Sequence, residues 1–338
     1  MQTVEVRREN LIRGRMRSPV NLLSKWKYQI LGSLIVFFGS ALLVFYVYMT
    51  FWSFWRTDEN LVALLFLRRD NIEKTLRGEI FPIARYLNGK YEDASILTFE
   101  SQRTAGMEQR SLLNRFRDFS VYQDSKRVGE MKLKGLEWGL FQCLHGVIGL
   151  GDFKLDVEPD FSRGTSARAS YADGREFSYS LTWYPALAKP FRGNFKGTAI
   201  VSATEKTLIA LARQEFSKNG ISAPSDLRPT ETRLFDLELN GVPEAITRFE
   251  FTQNGGLVYL LMVTRLGSRP QILLSLFGKE AEGSWGKGYT FIDVVDVNDD
   301  RVAEVLIRFA GWEVVEFLIY ELRNNSLQRV FRGAQYGC

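Results

Sequence analysis

Histidine and cysteine are nearly absent: 338 residues hold one histidine, His145, and two cysteines, Cys143 and Cys338. A zinc centre built on two or three histidines is excluded, and a hydrolytic triad would have to use this one imidazole. Two cysteines so far apart make no disulfide-dense scaffold, so stability must come from packing. Cys143 and His145 would share one face of a strand, but the apolar surroundings of Phe141-Gln-Cys-Leu-His145-Gly-Val-Ile read as core. No Gly-x-x-x-x-Gly-Lys-Ser/Thr, Gly-x-Ser-x-Gly or Gly-x-Gly-x-x-Gly occurs, which removes the commonest phosphate, hydrolase-elbow and dinucleotide signals. A charge excess is also missing from most of the chain. The formal net charge is +5, but Arg7, Arg8, Arg13, Arg15, Arg17, Lys25 and Lys27 face only Glu5 and Glu9 in the first 27 residues. The other 311 residues carry 37 basic and 37 acidic side chains, so no nucleic-acid partner is expected.

Charge is lacking altogether from Tyr28 to Phe51. At about 1.5 Å per residue, a helix of that length reaches roughly 36 Å, enough to cross a hydrocarbon core of roughly 30 Å. Tyr46, Tyr48, Phe51, Trp52, Phe54 and Trp55 then supply an interfacial aromatic belt in place of a cleavage site. The sequence predicts an uncleaved signal anchor at 28–55. The basic tail at 1–27 would be cytoplasmic and in contact with lipid headgroups. The C-terminal bulk would be periplasmic or extracellular, on a single-pass inner (plasma) membrane protein.

Past the belt, Asp58-Glu59-Asn60 supplies cap-type residues before Leu64, Leu65, Leu67, Ile72 and Leu76, and the spacing predicts a stalk helix over 56–78. From Glu79 the signal turns to strands. Asn88-Gly89, Asp173-Gly174 and Asn254-Gly255, with Asp124-Ser125 and Asn324-Asn325 as weaker versions, favour two-residue hairpins. Segments such as Glu176-Phe-Ser-Tyr-Ser-Leu-Thr-Trp-Tyr184 are rich in aromatic and β-branched residues. The expected fold is mainly β, with antiparallel domains. A first β region at 79–203 is followed by one helix and linker at 204–230, and a second β region at 231–338.

The second region contains a duplication sixty residues apart. Leu234-Phe-Asp236-Leu-Glu238-Leu-Asn240-Gly-Val-Pro-Glu244-Ala-Ile246 aligns with Val294-Val-Asp296-Val-Asn298-Asp-Asp300-Arg-Val-Ala-Glu304-Val-Leu306. Oxygen-bearing side chains stand at relative positions 1, 3, 5 and 9, the donor chemistry that Ca²⁺ prefers. An EF-hand is excluded, because its twelfth position would be Thr247 or Ile307. The pattern resembles the calcium loops of FG-GAP and VCBS-type repeats, which form β-propeller blades. The likeness spans roughly Leu234 to Val330, with Arg301 standing where the loop glycine is expected. It implies calcium held by Asp236, Glu238, Asn240 and Glu244 in one loop and by Asp296, Asn298, Asp300 and Glu304 in the other. Two copies cannot close a propeller, which needs at least about four blades. The stretch Ala84-Arg-Tyr-Leu-Asn-Gly-Lys-Tyr-Glu-Asp-Ala-Ser95 also resembles the opening of the β region in bacterial membrane-anchored exported proteins.

These features point to a calcium-stabilised binding or assembly module, meeting a protein partner or a surface polysaccharide, rather than to an enzyme. A tethered hydrolase acting on polysaccharide is the alternative of a different class, with Tyr171, Tyr179, Trp183 and Tyr184 available to stack on sugar. A third is an accessory subunit whose helix packs into a larger membrane complex through Gly32, Ser33, Gly39, Ser40 and Ala41.

Overall fold

The computed structural model describes residues 59–95, 102–141, 144–161, 165–170, 176–191, 193–197, 202–280, 288–311 and 314–336. The expected tail, membrane span and belt lie outside these, as do Cys143, Cys338, Tyr171 and the Asp173-Gly174 turn. Among the described residues no helix is long and apolar enough to cross a membrane.

The described residues open with β1 (Glu59–Asp70) and β2 (Leu76–Leu87), where the sequence predicts a stalk helix. The correction has a plain physical cause. Leu61, Ala63, Leu65 and Leu67 are buried on one face of β1, while Val62, Leu64 and Phe66 are buried on the other. A strand covered on both sides reads as an unbroken apolar run, and a short run of that kind cannot be told from a helix by periodicity. Ile72 and Leu76, which seemed to extend the helical spacing, are exposed.

After β3 (Lys90–Asp93) come α1 (Gln102–Arg115), β4 (Asp118–Gln123), β5 (Lys126–Phe141), β6 (Leu144–Leu155), β7 (Thr165–Ser170) and β8 (Glu176–Leu187). Strands β1, β2, β6, β5, β4 and β8 pair in that order, and β8 returns to β1, closing an antiparallel six-stranded barrel. Its interior holds Leu61, Leu65, Phe119, Met131 and Val147, together with Leu112 and Leu113 of α1. Helix α1 lies within the first β region, where the sequence predicts no helix. Its sequence, Gln-Arg-Thr-Ala-Gly-Met-Glu-Gln-Arg-Ser-Leu-Leu-Asn-Arg, has too few apolar residues to show a stripe.

Helix α2 (Ser202–Lys218) occupies the predicted position. Two four-stranded antiparallel meanders follow it. The first is β9 (Pro229–Phe235), β10 (Glu244–Gln253), β11 (Gly256–Arg265) and β12 (Gln271–Glu280). The second is β13 (Gly288–Val295), β14 (Glu304–Ala310), β15 (Val315–Arg323) and β16 (Ser326–Tyr336). Strand for strand, the sixty-residue duplication is therefore an architectural one. Four of the five proposed hairpin dipeptides sit at positive φ on both residues: Asn88-Gly89, Asp124-Ser125, Asn254-Gly255 and Asn324-Asn325.

Both meanders turn one face toward the outside of the barrel, where Val62, Leu64, Phe66 and Phe81 meet Phe291, Phe317 and Leu261 in one continuous core. Leu208, Ala212 and Phe216 of α2 cover the opposite face of the first meander, against Phe249, Leu260 and Met262.

Candidate functional site

The two acidic loops join the first strand of each meander to the second, and they share one hydrogen-bond scheme. Asp236 accepts the amides of Asn240 (2.9 Å) and Gly241 (2.8 Å), and Asp296 accepts those of Asp300 (3.2 Å) and Arg301 (2.9 Å). Asn240 Oδ1 takes the Val242 N–H at 2.8 Å, as Asp300 Oδ1 takes that of Val302 at 2.8 Å. Glu244 Oε2 accepts the Leu237 N–H at 3.0 Å, and Glu304 Oε2 that of Val297 at 2.9 Å. The backbone repeats as well. Leu239 (φ 52°) corresponds to Asp299 (59°), and Gly241 (82°) to Arg301 (70°). Arg301 thus adopts the left-handed conformation that the glycine of the first copy takes without a Cβ penalty.

The copies differ in how charge is met. In the first, Arg265 on β11 donates through Nε to Glu244 Oε1 at 2.9 Å and through Nη2 to Glu238, so a guanidinium lies against both glutamates. In the second, Glu304 is fully buried and receives only the Tyr91 hydroxyl, at 2.8 Å, on its other oxygen. Glu321, close enough to act on Tyr91, is itself bonded to Arg323. Burial, reinforced by Asp296 and Asp300, pushes the Glu304 carboxyl up to about 8. Burial and Asp300 push Asp296 up to about 6. Burial also raises Glu244, with the Leu237 amide and Arg265 working against it.

Among the described residues no group of three or more His, Cys, Asp or Glu side chains gathers as a metal site. Glu244 and Glu304, expected as ninth-position ligands, each accept a backbone N–H at the loop base through Oε2. In the second copy Asp296 and Asp300 carry charge that no basic side chain meets among the described residues, and Asn298 adds a neutral oxygen, a set that suits a hard divalent cation. The first loop fits one less well, because Arg265 already supplies its positive charge.

The loops are also tied to each other and to the barrel. The Ala303 N–H donates to the Leu237 carbonyl at 2.8 Å, joining copy to copy. Asn60, nearly fully buried, donates to the Val297 carbonyl at 2.9 Å and accepts the Lys189 N–H at 2.8 Å.

A second feature is a cavity of about 300 Å³ where β4 and β8 of the barrel meet β9 and β13. Trp183 and Tyr184 line it, as do Glu231, Arg233 and Asp293, which sequence reasoning did not single out. Asp293 is 1% exposed, and burial pushes it up to about 7. The available signal was a lone carboxylate inside the apolar run Phe291-Ile-Asp-Val-Val295, sixty residues after Arg233. His145 lies on β6, opposite Leu140, and Cys143 lies outside the described residues.

Comparison with protein-family models, with curated proteins and with solved structures gives no match, so the chemistry of the site is read from this chain's own residues.

Proposed function

We propose that this chain is a single-pass, membrane-anchored protein whose exported β domain is a binding or assembly module, stiffened by calcium at the loop of Asp296, Asn298 and Asp300. The observation that carries the reading is the repeated loop scheme. In both copies the acidic side chains hold backbone amides, and the Ala303–Leu237 and Asn60–Val297 bonds fasten the loops to each other and to the barrel. Carboxylates engaged in this way make a rigid platform, and the FG-GAP-type resemblance is consistent with four-stranded meanders that carry an acidic loop between their first two strands. When bound, calcium would neutralise Asp296 and Asp300, whose mutual repulsion the fold otherwise carries.

The test is thermal melting of the purified full chain in calcium and in chelator. A rise in melting temperature with calcium that Asp296→Ala abolishes supports the reading, and no shift discards the metal. Protease added to spheroplasts should digest the β domain, and its protection would reverse the orientation. The polysaccharide-hydrolase alternative needs two carboxylates free to reach a sugar, and the carboxylates beside Trp183 do not meet that need because Glu231 is bonded to Arg233.

A further inference from the structure

The cavity at the junction is built on the duplication. Its floor uses the same positions of both copies, Thr230 with Thr290, Glu231 with Phe291, and Arg233 with Asp293, each pair sixty residues apart on β9 and β13. About 300 Å³ is at the small end for ligand sites, room for a compact molecule.

Three of the polar lining residues are already committed as donors. Arg233 gives Nη1 to Asp124 at 2.8 Å and Nη2 to Glu231. Thr182 donates its hydroxyl to the Asp160 carbonyl at 2.8 Å, and Thr230 donates to the Arg248 carbonyl at 3.2 Å. These two hydroxyls therefore have only lone pairs left to offer. Asp293 accepts the Ser125 N–H (2.9 Å) and the Val294 N–H (2.8 Å) on Oδ1, while Oδ2 has no hydrogen-bond partner among the described residues. A carboxylate 1% exposed, with one oxygen unmet and placed in the lining of a cavity, is an unfavourable arrangement unless a donor arrives. Once Asp293 is ionised, above about pH 7, the charged lining of Glu231 and Asp293 against Arg233 is net negative.

We propose that this cavity binds a protonated primary amine, anchored on Asp293 Oδ2, with the Thr182 and Thr230 oxygens as further acceptors and Trp183 and Phe291 beside its apolar part. An ammonium group brings three donors and no acceptor, matching Asp293 Oδ2 and the two threonine oxygens. An anion would meet Asp293 and Glu231, and a neutral sugar would bring no positive charge to the buried carboxylate.

The amine can be a free diamine or a lysine side chain, and the test separates them. Full-length protein in mild detergent is titrated calorimetrically with 1,4-diaminobutane, with Nα-acetyl-lysinamide, and with butyrate and methyl α-glucoside as controls. Saturable binding of at least one amine is expected, and the tighter of the two names the source. Asp293→Asn retains the oxygen that accepts both amides and turns the open acceptor into a donor; it should weaken amine binding at least about tenfold. Should that variant not fold, Glu231→Gln on the more exposed rim must weaken binding by about threefold or more. Absence of amine binding up to about 10 mM, equal binding of butyrate or the glucoside, or indifference to both variants overturns the proposal. It deepens the binding-module reading without depending on calcium: a failed amine titration beside a calcium-dependent melting shift discards the ligand and leaves the scaffold standing.

Discussion

Tyr91, on the hairpin strand that extends from the barrel, donates its hydroxyl to Glu304 Oε1 at 2.8 Å, across 213 residues of sequence. The corresponding glutamate of the other copy, Glu244, instead receives Arg265 Nε at 2.9 Å. One position of the duplicated loop is thus met by a neutral partner in one copy and by a cation in the other, and the two should answer oppositely to the same substitution.

Glu244→Gln removes one of the two carboxylates on Arg265, which is only 17% exposed and keeps Glu238, and should cost about 1–3 kcal/mol. Glu304→Gln imitates the protonated acid. Its carbonyl can accept the Val297 N–H and its amide can donate to the Tyr91 oxygen, so the change should stay within about 1 kcal/mol at pH 7 and stabilise at pH 9. Paired denaturant titrations at the two pH values read both effects.

The dependence of stability on pH should run opposite to the usual acid-denaturation trend. Glu304 is raised from 4.5 to about 8, Asp293 from 3.8 to about 7 and Asp296 from 3.8 to about 6, each by burial first. Between those limits the folded chain keeps protons that the unfolded chain has released. Their contribution is complete below about pH 4 and is lost as pH rises through 6 to 8, at about 1.4 kcal/mol per pH unit for each group inside its window. Melting temperature measured in chelator should therefore fall from pH 5 to pH 8.5. Asp293→Asn and Glu304→Gln together should flatten most of that slope, and a flat wild-type profile would contradict the burial of these groups.

Backbone strain in the second loop offers a stabilising change. Arg301 sits at φ 70°, where its counterpart Gly241 sits at 82°. Arg301→Gly should gain about 0.5–1 kcal/mol, the left-handed penalty relieved less the added freedom of the unfolded chain. Gly241→Ala should lose about 1–2 kcal/mol. Nothing lies within 4 Å of the added Cβ, so that loss isolates the dihedral from any clash. Chemical denaturation midpoints of the two variants, moving in opposite directions, make the check.

Local rules made much of this architecture legible in the sequence. The four described hairpin dipeptides, α2 and the loop duplication each depend on a few adjacent residues, and each appears where the sequence puts it. The partners that give the loops different characters were not legible. Arg265 lies 21 residues from Glu244 and Tyr91 lies 213 from Glu304, and no local pattern records those meetings. The cavity was hidden for the same reason, since Asp293 becomes a site only once β4, β8, β9 and β13 are brought together. The barrel was hidden by ambiguity rather than distance: Leu61 to Leu67 is equally a greasy helix or a strand buried on both faces.

That ambiguity yields the last prediction. On a docked helix, truncations along Leu61–Leu67 would alternate between costly and cheap with a period of about 3.6, because one side would face solvent or lipid. On β1 every position is covered: Leu61, Leu65 and Leu67 by the barrel interior, and Val62, Leu64 and Phe66 by the core shared with the meanders. Leu64→Ala and Leu65→Ala should therefore each cost about 2–5 kcal/mol despite pointing to opposite faces, with Val62→Ala somewhat less. The two leucine losses should also be nearly additive in the double variant, because the cavities open in separate cores. A scan in which Leu64→Ala or Val62→Ala is neutral would mean that the outer face of the barrel is not covered by the meanders, and the junction that holds Asp293 would go with it.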